Sequence, residues 1–245
     1  MPITSDDLVL YTSANHPTDD IGTSGGAIDA TRRAEFAHFG SPARVALISD
    51  GADTRVATIA YRDAAGSYLT ENVTLNGASE VLSIATAERL LMVTLDGTSP
   101  NRTVTVKEGS GGTTRGSIGL NETGIAACFI GSASESGTVN RHEKLFWKNR
   151  HTSLTLNAAT ITLTADPAAR IKIGLAATKG DTASITNRKA TPGGITFVDD
   201  NVSVAVPTNS LAAGEAIGMW VQQGLLANDA PIKSSFTARC SGTSS

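Results

Sequence analysis

From Arg44 onward, apolar residues recur at every second position in short stretches, and this period constrains the fold more than any other feature of the chain. In RTVTVKE, residues 102–108, Val104 and Val106 share one face of an extended chain, while the intervening threonine and lysine side chains share the other. This alternation predicts β-strands that bury one face. Further strand stretches are ENVTLNG (71–77), RIKIGL (170–175), VSVAV (202–206), AIGMWVQQ (216–223) and SFTARC (235–240). RVATIAY (55–61) and RLLMVTL (89–95) are apolar on both phases and are expected to be central strands.

Repeated short strands separated by turn signals indicate antiparallel β-sandwiches. The composition agrees, because only 18% of residues are charged and 4% aromatic, which suits thin β-layers better than charged amphipathic helices. We therefore predict an all-β fold with two antiparallel β-sandwich domains, Ig-like or jelly-roll-like. Short helical turns are expected, if anywhere, in DATRRAEFAHF (29–39) and TAERLLM (86–92), and neither is well capped.

Two loop-like segments indicate where the domains meet. GSPA (40–43) precedes the first block of strands, and KEGSGGTTRG (107–116) follows it as a turn or linker. A chain of 245 residues is long enough for two modest domains, each with its own core. We predict an inserted domain at 44–115 and a discontinuous base domain that joins 1–39 to 116–245.

The alternation changes phase within SLTLNAATITLT, residues 153–164. Leu156 lies on one phase and Ile161 on the opposite one. Because one extra residue moves every later side chain to the other face, we predict a bulge or turn near Ala158 and Ala159.

Basic side chains crowd around Phe146 and Trp147 in RHEKLFWKN, residues 141–149. Single-stranded nucleic acids are bound by such combinations of charge and aromatic rings. A net charge of −3 offers no general attraction for polyanions, however. As a central strand, the segment has an apolar middle and charged ends that reach solvent. We therefore expect a strand and no nucleic-acid partner, with Lys144 and Lys148 contributing little to folding.

Motifs for catalysis are missing from the sequence. The histidines occur in four different contexts without metal-site spacing, so we interpret each as a surface or structural residue. The GSGGTTRG segment lacks the Gly-Lys-Ser/Thr ending of a phosphate-binding loop, and no Gly-x-Ser-x-Gly elbow occurs. We predict no catalytic, cofactor or metal site. The histidines are His16, His38, His142 and His151.

Adjacent acidic pairs leave calcium as a lesser alternative. Asp199, Asp200 and Asn201 offer oxygen ligands, but the spaced ligands of a calcium-binding loop are absent. Carboxylates next to each other in sequence usually point apart, which also disfavours a glycosidase pair.

The N-terminal MPITSDDLVLYTS has neither the basic region nor the apolar run of a signal peptide, and no long apolar segment occurs elsewhere. We expect a protein that folds where it is made, without a membrane partner. Two cysteines in unrelated contexts do not form a disulfide framework, so Cys128 and Cys240 are expected to be reduced thiols, with a bond between them as the alternative.

Several stretches together resemble a family of small virion structural proteins of tailed bacteriophages. In that family the Gly-Gly-Ala-Ile element leads almost directly to the middle segment, whereas here 44–115 intervenes and resembles an Ig-like phage module. The family usually carries two arginines after its tryptophan strand, where this chain has Gln222 and Gln223, so no contact of those arginines is carried over. The stretches are LVLYTSANHPTDDIGTSGGAID, RHEKLFWKN with SLTLNAATITLTADP and RIKIGL, and FVDDNVSVAVPTNSLAAGEAIGMWVQQGLLANDAP with SFTARCSGT.

The resemblance implies a non-enzymatic virion component made in the bacterial host cytoplasm. We expect a capsid decoration (cement) protein, and the alternative is a tail, neck or baseplate protein, including a receptor-binding, carbohydrate-binding one. A tail hydrolase is a third interpretation. The expected partners are other virion proteins, either the major capsid protein or tail and neck proteins, and further copies of the chain. Sugar binding is disfavoured because Trp147 and Trp220 lie on apparent core strands.

One polar segment is the candidate contact with the particle. Residues 12–26, TSANHPTDDIGTSGG, have almost no apolar side chain to bury, but apolar residues flank them on both sides. We expect a loop that is mobile in the free protein and becomes ordered against a neighbouring subunit, with its aspartates facing basic groups there. A solvent-exposed loop without a partner is the alternative. The candidate contact residues are Asn15, Asp19, Asp20 and Thr23.

Overall fold

A computed structural model gives the structure of the chain and describes residues 2–18, 20–34, 37–99, 101–130, 135–228 and 235–245. Short strands dominate these residues, with two 3-10 helices at Ser5–Asp7 and Pro207–Asn209. Within the described ranges, no helix has the length and apolar character needed to cross a membrane. The strands are β1 (Leu8–Asn15), β2 (Ser24–Arg33), β3 (Ala43–Ser49), β4 (Val56–Arg62), β5 (Tyr68–Thr74), β6 (Val81–Ala87), β7 (Arg89–Leu95), β8 (Val104–Glu108), β9 (Thr114–Ile118), β10 (Gly124–Ala126), β11 (Val139–Asn149), β12 (Leu156–Ala165), β13 (Ile171–Lys179), β14 (Ser184–Ile185), β15 (Ser203–Ala205), β16 (Ser210–Leu211), β17 (Ala216–Leu225) and β18 (Thr237–Ser244).

The chain divides into two compact units. Unit 1 contains Met1–Asp29 and Phe129–Ser245, and unit 2 contains Ala30–Cys128. The fold class is all-β with antiparallel sheets, as the period-two pattern predicts.

Unit 1 has a long sheet in the order β13-β17-β11-β1-β2, to which β14 adds by pairing with β2. A smaller sheet has the order β15-β12-β16, and β18 also pairs with β12. The predicted bulge in β12 is confirmed: Asn157 pairs with Thr243 and Thr160 with Ser241, so β12 carries one extra residue between the two pairs. Ala158 takes up the extra length with a positive φ of 48°.

Unit 2 is a sandwich of two sheets around one core. One sheet has the order β6-β3-β8-β9 and the other β10-β7-β4-β5, with the end of β2 parallel to β10. Val104 and Val106 are fully buried, as their alternation predicts, and pack with residues of the opposite sheet such as Ile59 and Val93. Burial of this apolar core between the sheets stabilises the unit.

The predicted helical turns are wrong. Residues 29–33 belong to β2, and the second segment contains the end of β6 and the start of β7. Sheet pairing explains both cases, because the end of β2 bonds to β10 and β7 lies between β10 and β4. Residues 35 and 36 of the first segment lie outside the described residues.

The compact units and the predicted domains have different bounds. Residue 116, the predicted start of the second base segment, lies inside β9, which forms a hairpin with β8. The glycine-rich segment before it is the hairpin turn, where Gly109 and Gly111 have positive φ values of 75° and 61°. Independent folding of 44–115 stays a prediction.

Candidate functional site: a loop held by buried ion pairs

RHEKLFWKN forms most of β11, which pairs with β1 on one side and β17 on the other, so the predicted central strand is confirmed. The prediction that its charged N-terminal end reaches solvent is wrong. Arg141, His142, Glu143 and Lys144 are exposed by 2%, 0%, 0% and 0%, respectively. Charged groups are seldom buried without partners, so the surroundings of these four residues form the candidate site.

The burial follows from where β1 ends its pairing. β1 pairs with β11 only as far as Thr12, opposite Leu145. Beyond that point a segment after β14 takes over, and the backbone N–H of His142 donates to the Arg188 carbonyl at 2.7 Å. The N–H of Arg188 in turn donates to the Asp20 carbonyl at 3.3 Å. Two irregular segments therefore cover the charged end of β11.

The guanidinium of Arg188 is fully buried and ties three parts of unit 1 together. It donates to the carbonyl oxygens of Pro17 and Ile130 and forms an ion pair with the carboxylate of Glu143. Glu143 also accepts the backbone N–H of Phe129 at 2.6 Å through its other oxygen. A planar guanidinium suits this role, because its five donors are fixed in direction and its charge is permanent.

Arg141 lies beside this pair and binds two carboxylates. Its guanidinium is 2.5 Å from Asp20 Oδ2 and 2.8 Å from Glu135 Oε1. Lys189, at the solvent edge, binds Glu135 at 2.9 Å. Hydrogen bonding from Lys189 is the main cause that lowers the pKa of Glu135, and the bond from Arg141 adds to it.

These residues make up the buried ion-pair cluster, in which three cationic side chains face three carboxylates. The balance explains why unit 1 tolerates so much buried charge, since each group has a charged partner. The cluster consists of Asp20, Glu135, Arg141, Glu143, Arg188 and Lys189.

The cluster holds the β1–β2 loop, residues 16–23. Pro17 contributes its carbonyl to Arg188, Asp20 contributes its carboxylate to Arg141, and the His16 side chain lies 3.9 Å from Glu143 with only 1% exposure. Between these anchored points and β2, the side chain of Ile21 is 83% exposed. The loop is therefore anchored through Pro17 and Asp20, while the Ile21 side chain is exposed to solvent.

The four predicted contact residues have different positions. Asp20 faces a basic group of its own chain, Arg141, whereas Asn15 and Thr23 are exposed at the two ends of the loop. Asp19 lies outside the described residues. Contact of this loop with another protein stays a prediction.

On the opposite face of β11, Lys144 forms a separate set of polar contacts. Its ammonium group binds Asp181 at 2.5 Å and donates to the carbonyls of Gly26 and Ala183 at 3.2 and 3.1 Å. Burial lowers the pKa of Lys144, and the Asp181 carboxylate opposes this shift. Gly25 allows the close approach of the two segments, because a Cβ there would lie 2.7 Å from the Ala183 oxygen.

His142 is buried against Phe197, and its Nε2 is 3.1 Å from the amide nitrogen of Gln222. Burial lowers the pKa of His142, although hydrogen bonding with the Arg188 and Ala190 backbone works in the opposite direction. Gln222 is thus a neighbour of a buried imidazole.

The remaining sequence candidates have structural surroundings. His151 Nδ1 accepts the backbone N–H of Leu154 at 3.0 Å, and Asp199 pairs with Lys172 at 3.0 Å on the surface. In the described part of the chain, no group of three or more His, Cys, Asp or Glu side chains is placed to hold a metal ion. Neither Cys128 nor Cys240 forms a disulfide, and burial raises the pKa of the Cys240 thiol to about 12.

Sequence reasoning missed the buried ion-pair cluster. Its one local sign is the charge density of Arg-His-Glu-Lys directly before Leu-Phe-Trp, which the strand interpretation assigned to a solvated end. The partner Arg188 lies in ITNRKATPGG, a polar segment without periodicity that gives no hint of burial.

Comparisons of the chain with protein-family models, with curated proteins and with solved structures found no match.

Proposed function

We propose that the chain is a non-enzymatic structural component of a tailed-phage virion, with a capsid decoration protein as the preferred position and unit 2 as an inserted Ig-like module. The sequence stretches that resemble phage virion proteins support this origin. The alternative position is the tail, neck or baseplate. Either role requires a surface that docks on a neighbouring protein of the particle.

The observation that carries the proposal is the anchored β1–β2 loop with Ile21 at its surface. Because the Pro17 carbonyl and the Asp20 carboxylate are already fixed, the loop loses little conformational entropy when it binds. An isoleucine that is 83% exposed supplies apolar area for a partner to bury. These properties suit permanent attachment in an assembly.

Burial of the tryptophans weighs against a sugar-binding surface. Trp147 and Trp220 are exposed by 8% and 1%, so neither ring offers a platform for a sugar. A carbohydrate-binding role would need a different surface.

The test replaces Ile21 by aspartate and measures incorporation into particles. Because Ile21 is 83% exposed, Ile21→Asp is expected to keep the wild-type melting temperature. It should lower the copies per purified particle at least about tenfold, which corresponds to about 1.4 kcal/mol of lost binding. Val202→Asp is the matched control, since Val202 is a 47% exposed apolar residue elsewhere in unit 1. Wild-type incorporation of Ile21→Asp would remove the loop contact from the proposal.

A further inference from the structure

Strand β5 forms a regular, unpaired edge in unit 2. It pairs with β4 through all seven residues, from Thr74 opposite Val56 to Tyr68 opposite Arg62, without a register shift. It ends the strand order β10-β7-β4-β5, and among the described residues no strand pairs with its other edge.

The hydrogen bonds that flank β5 show which backbone groups point outward. The N–H of Leu75 donates to Arg55, and the Ser67 carbonyl accepts from Asp63. Odd-numbered residues therefore direct their backbone groups towards β4, because these groups alternate in direction along a strand. The outward groups belong to Tyr68, Thr70, Asn72 and Thr74, all of which are exposed.

The two edge strands of the other sheet are protected, in contrast to β5. β6 contains a bulge, since Arg44 pairs with Thr86 but Ala46 pairs with Leu82. The Glu71 side chain accepts the N–H groups of the bulge at Ile84 and Ala85. β9 is short and has a register shift of its own.

Proteins commonly guard edge strands with lysine, proline or a bulge, because an open edge pairs with other chains. The β5 sequence YLTENVT contains no lysine, arginine or proline. Its one charged side chain, Glu71, is held by β6. The edge of β5 is open, whereas β6 and β9 are protected. This contrast indicates that β5 is a surface for strand pairing.

Exposed apolar side chains accompany this edge. Tyr68 and Leu69 are each 39% exposed, and the β6 bulge turns Ile84 outward to 86% exposure. Contact between Glu71 and the bulge places Ile84 beside β5. The edge thus combines free backbone groups with apolar area that a partner would bury.

We propose that β5 pairs antiparallel with β5 of a second copy of this chain, centred on Thr70, so that the two sheets continue into one. This register places Tyr68 opposite Asn72 and Leu69 opposite Glu71, and no like charges meet. A register centred on Glu71 would bring two carboxylates together, which destabilises a strand pair. Centring on Asn72 would leave Tyr68 and Leu69 without cross-strand partners.

The first measurement is the mass of the full chain by sedimentation velocity over a range of concentrations. The wild type is expected to shift from the 25.2 kDa monomer towards a dimer as concentration rises. Thr70→Lys places two ammonium groups opposite each other, so this variant is expected to remain monomeric with an unchanged melting temperature. Ser117→Lys, an exposed position on β9, is the control and should dimerise like the wild type.

A cysteine cross-link tests the register. In a background with Cys128→Ser, Thr70→Cys is expected to give a disulfide-linked dimer under mild oxidation, because directly opposed residues have Cα atoms about 5.5 Å apart. Ser117→Cys is the matched control and should stay unlinked. A wild type that stays monomeric at every concentration, or a dimer that survives in Thr70→Lys, overturns the proposal.

Discussion

The guanidinium of Arg188 binds the carboxylate of Glu143 inside unit 1, where the two side chains are exposed by 0% and 1%. The same guanidinium donates to the Pro17 carbonyl. Arg188 therefore connects the buried ion pair to the start of the β1–β2 loop. Such a pair adds little net stability, but its loss leaves a buried charge without a partner. Its structural consequence is to tie the Pro17 carbonyl, at the start of the β1–β2 loop, to Glu143 on β11.

Removal of Arg188 should therefore be costly. Arg188→Ala is expected to lower the free energy of unfolding by about 3–5 kcal/mol, because Glu143 stays buried without its cation. Lys189→Ala is the control and should cost less than about 1 kcal/mol, since Lys189 is 42% exposed. Urea unfolding measures both. Equal, small effects would show that the buried pair does not hold the loop.

The two lysines of the β11 segment should behave differently, contrary to the expectation from sequence. Lys144→Met is expected to destabilise the protein by about 3 kcal/mol because Asp181 and the carbonyls around the ammonium lose their partner. Lys148→Met, on the same strand and partly exposed, should change the unfolding free energy by less than about 0.5 kcal/mol. Similar values for the two variants would restore the solvent-exposed interpretation.

Stability should fall as the pH drops from 7 to 5. Burial lowers the pKa of His142 below the ordinary 6.5, so the unfolded chain binds a proton at a pH where the folded protein does not. This loss of stability should be absent from His142→Gln. Glu135, whose pKa is also lowered, stabilises the fold above its unfolded pKa of 4.5 and loses this contribution only at lower pH. Urea unfolding at several pH values separates the pH range in which His142 contributes from the lower range in which Glu135 contributes.

Two deletions compare the predicted domain with the compact unit. Replacement of 30–128 by a Gly/Ser linker removes unit 2 as a whole, and the remainder is expected to melt cooperatively because long connections cost little free energy. Replacement of 44–115 removes β7 and β8 and leaves β9 and β10 without these partners. This second deletion should expose apolar surface and aggregate. Cooperative melting of the second protein alone would favour the bounds drawn from the sequence.

The strands could be predicted because the alternation of apolar and polar residues within each strand is visible in its own short stretch of sequence. Val104 and Val106 alternate with polar residues, and the phase change before Ile161 locates a bulge, since both patterns depend on neighbours in the chain. The buried ion-pair cluster could not be predicted in this way. Its pairs join positions far apart in sequence, such as Asp20 with Arg141, and nothing local distinguishes a buried arginine from an exposed one.

The proposed place of this chain in a virion is tested most directly by quantitative mass spectrometry of gradient-purified phage particles. We predict that the chain is present at a fixed ratio to the major capsid protein, of the same order as that protein for a decoration role and far lower for a tail role. Its absence from purified particles, with the chain found only in the unassembled fraction of the lysate, would contradict the account.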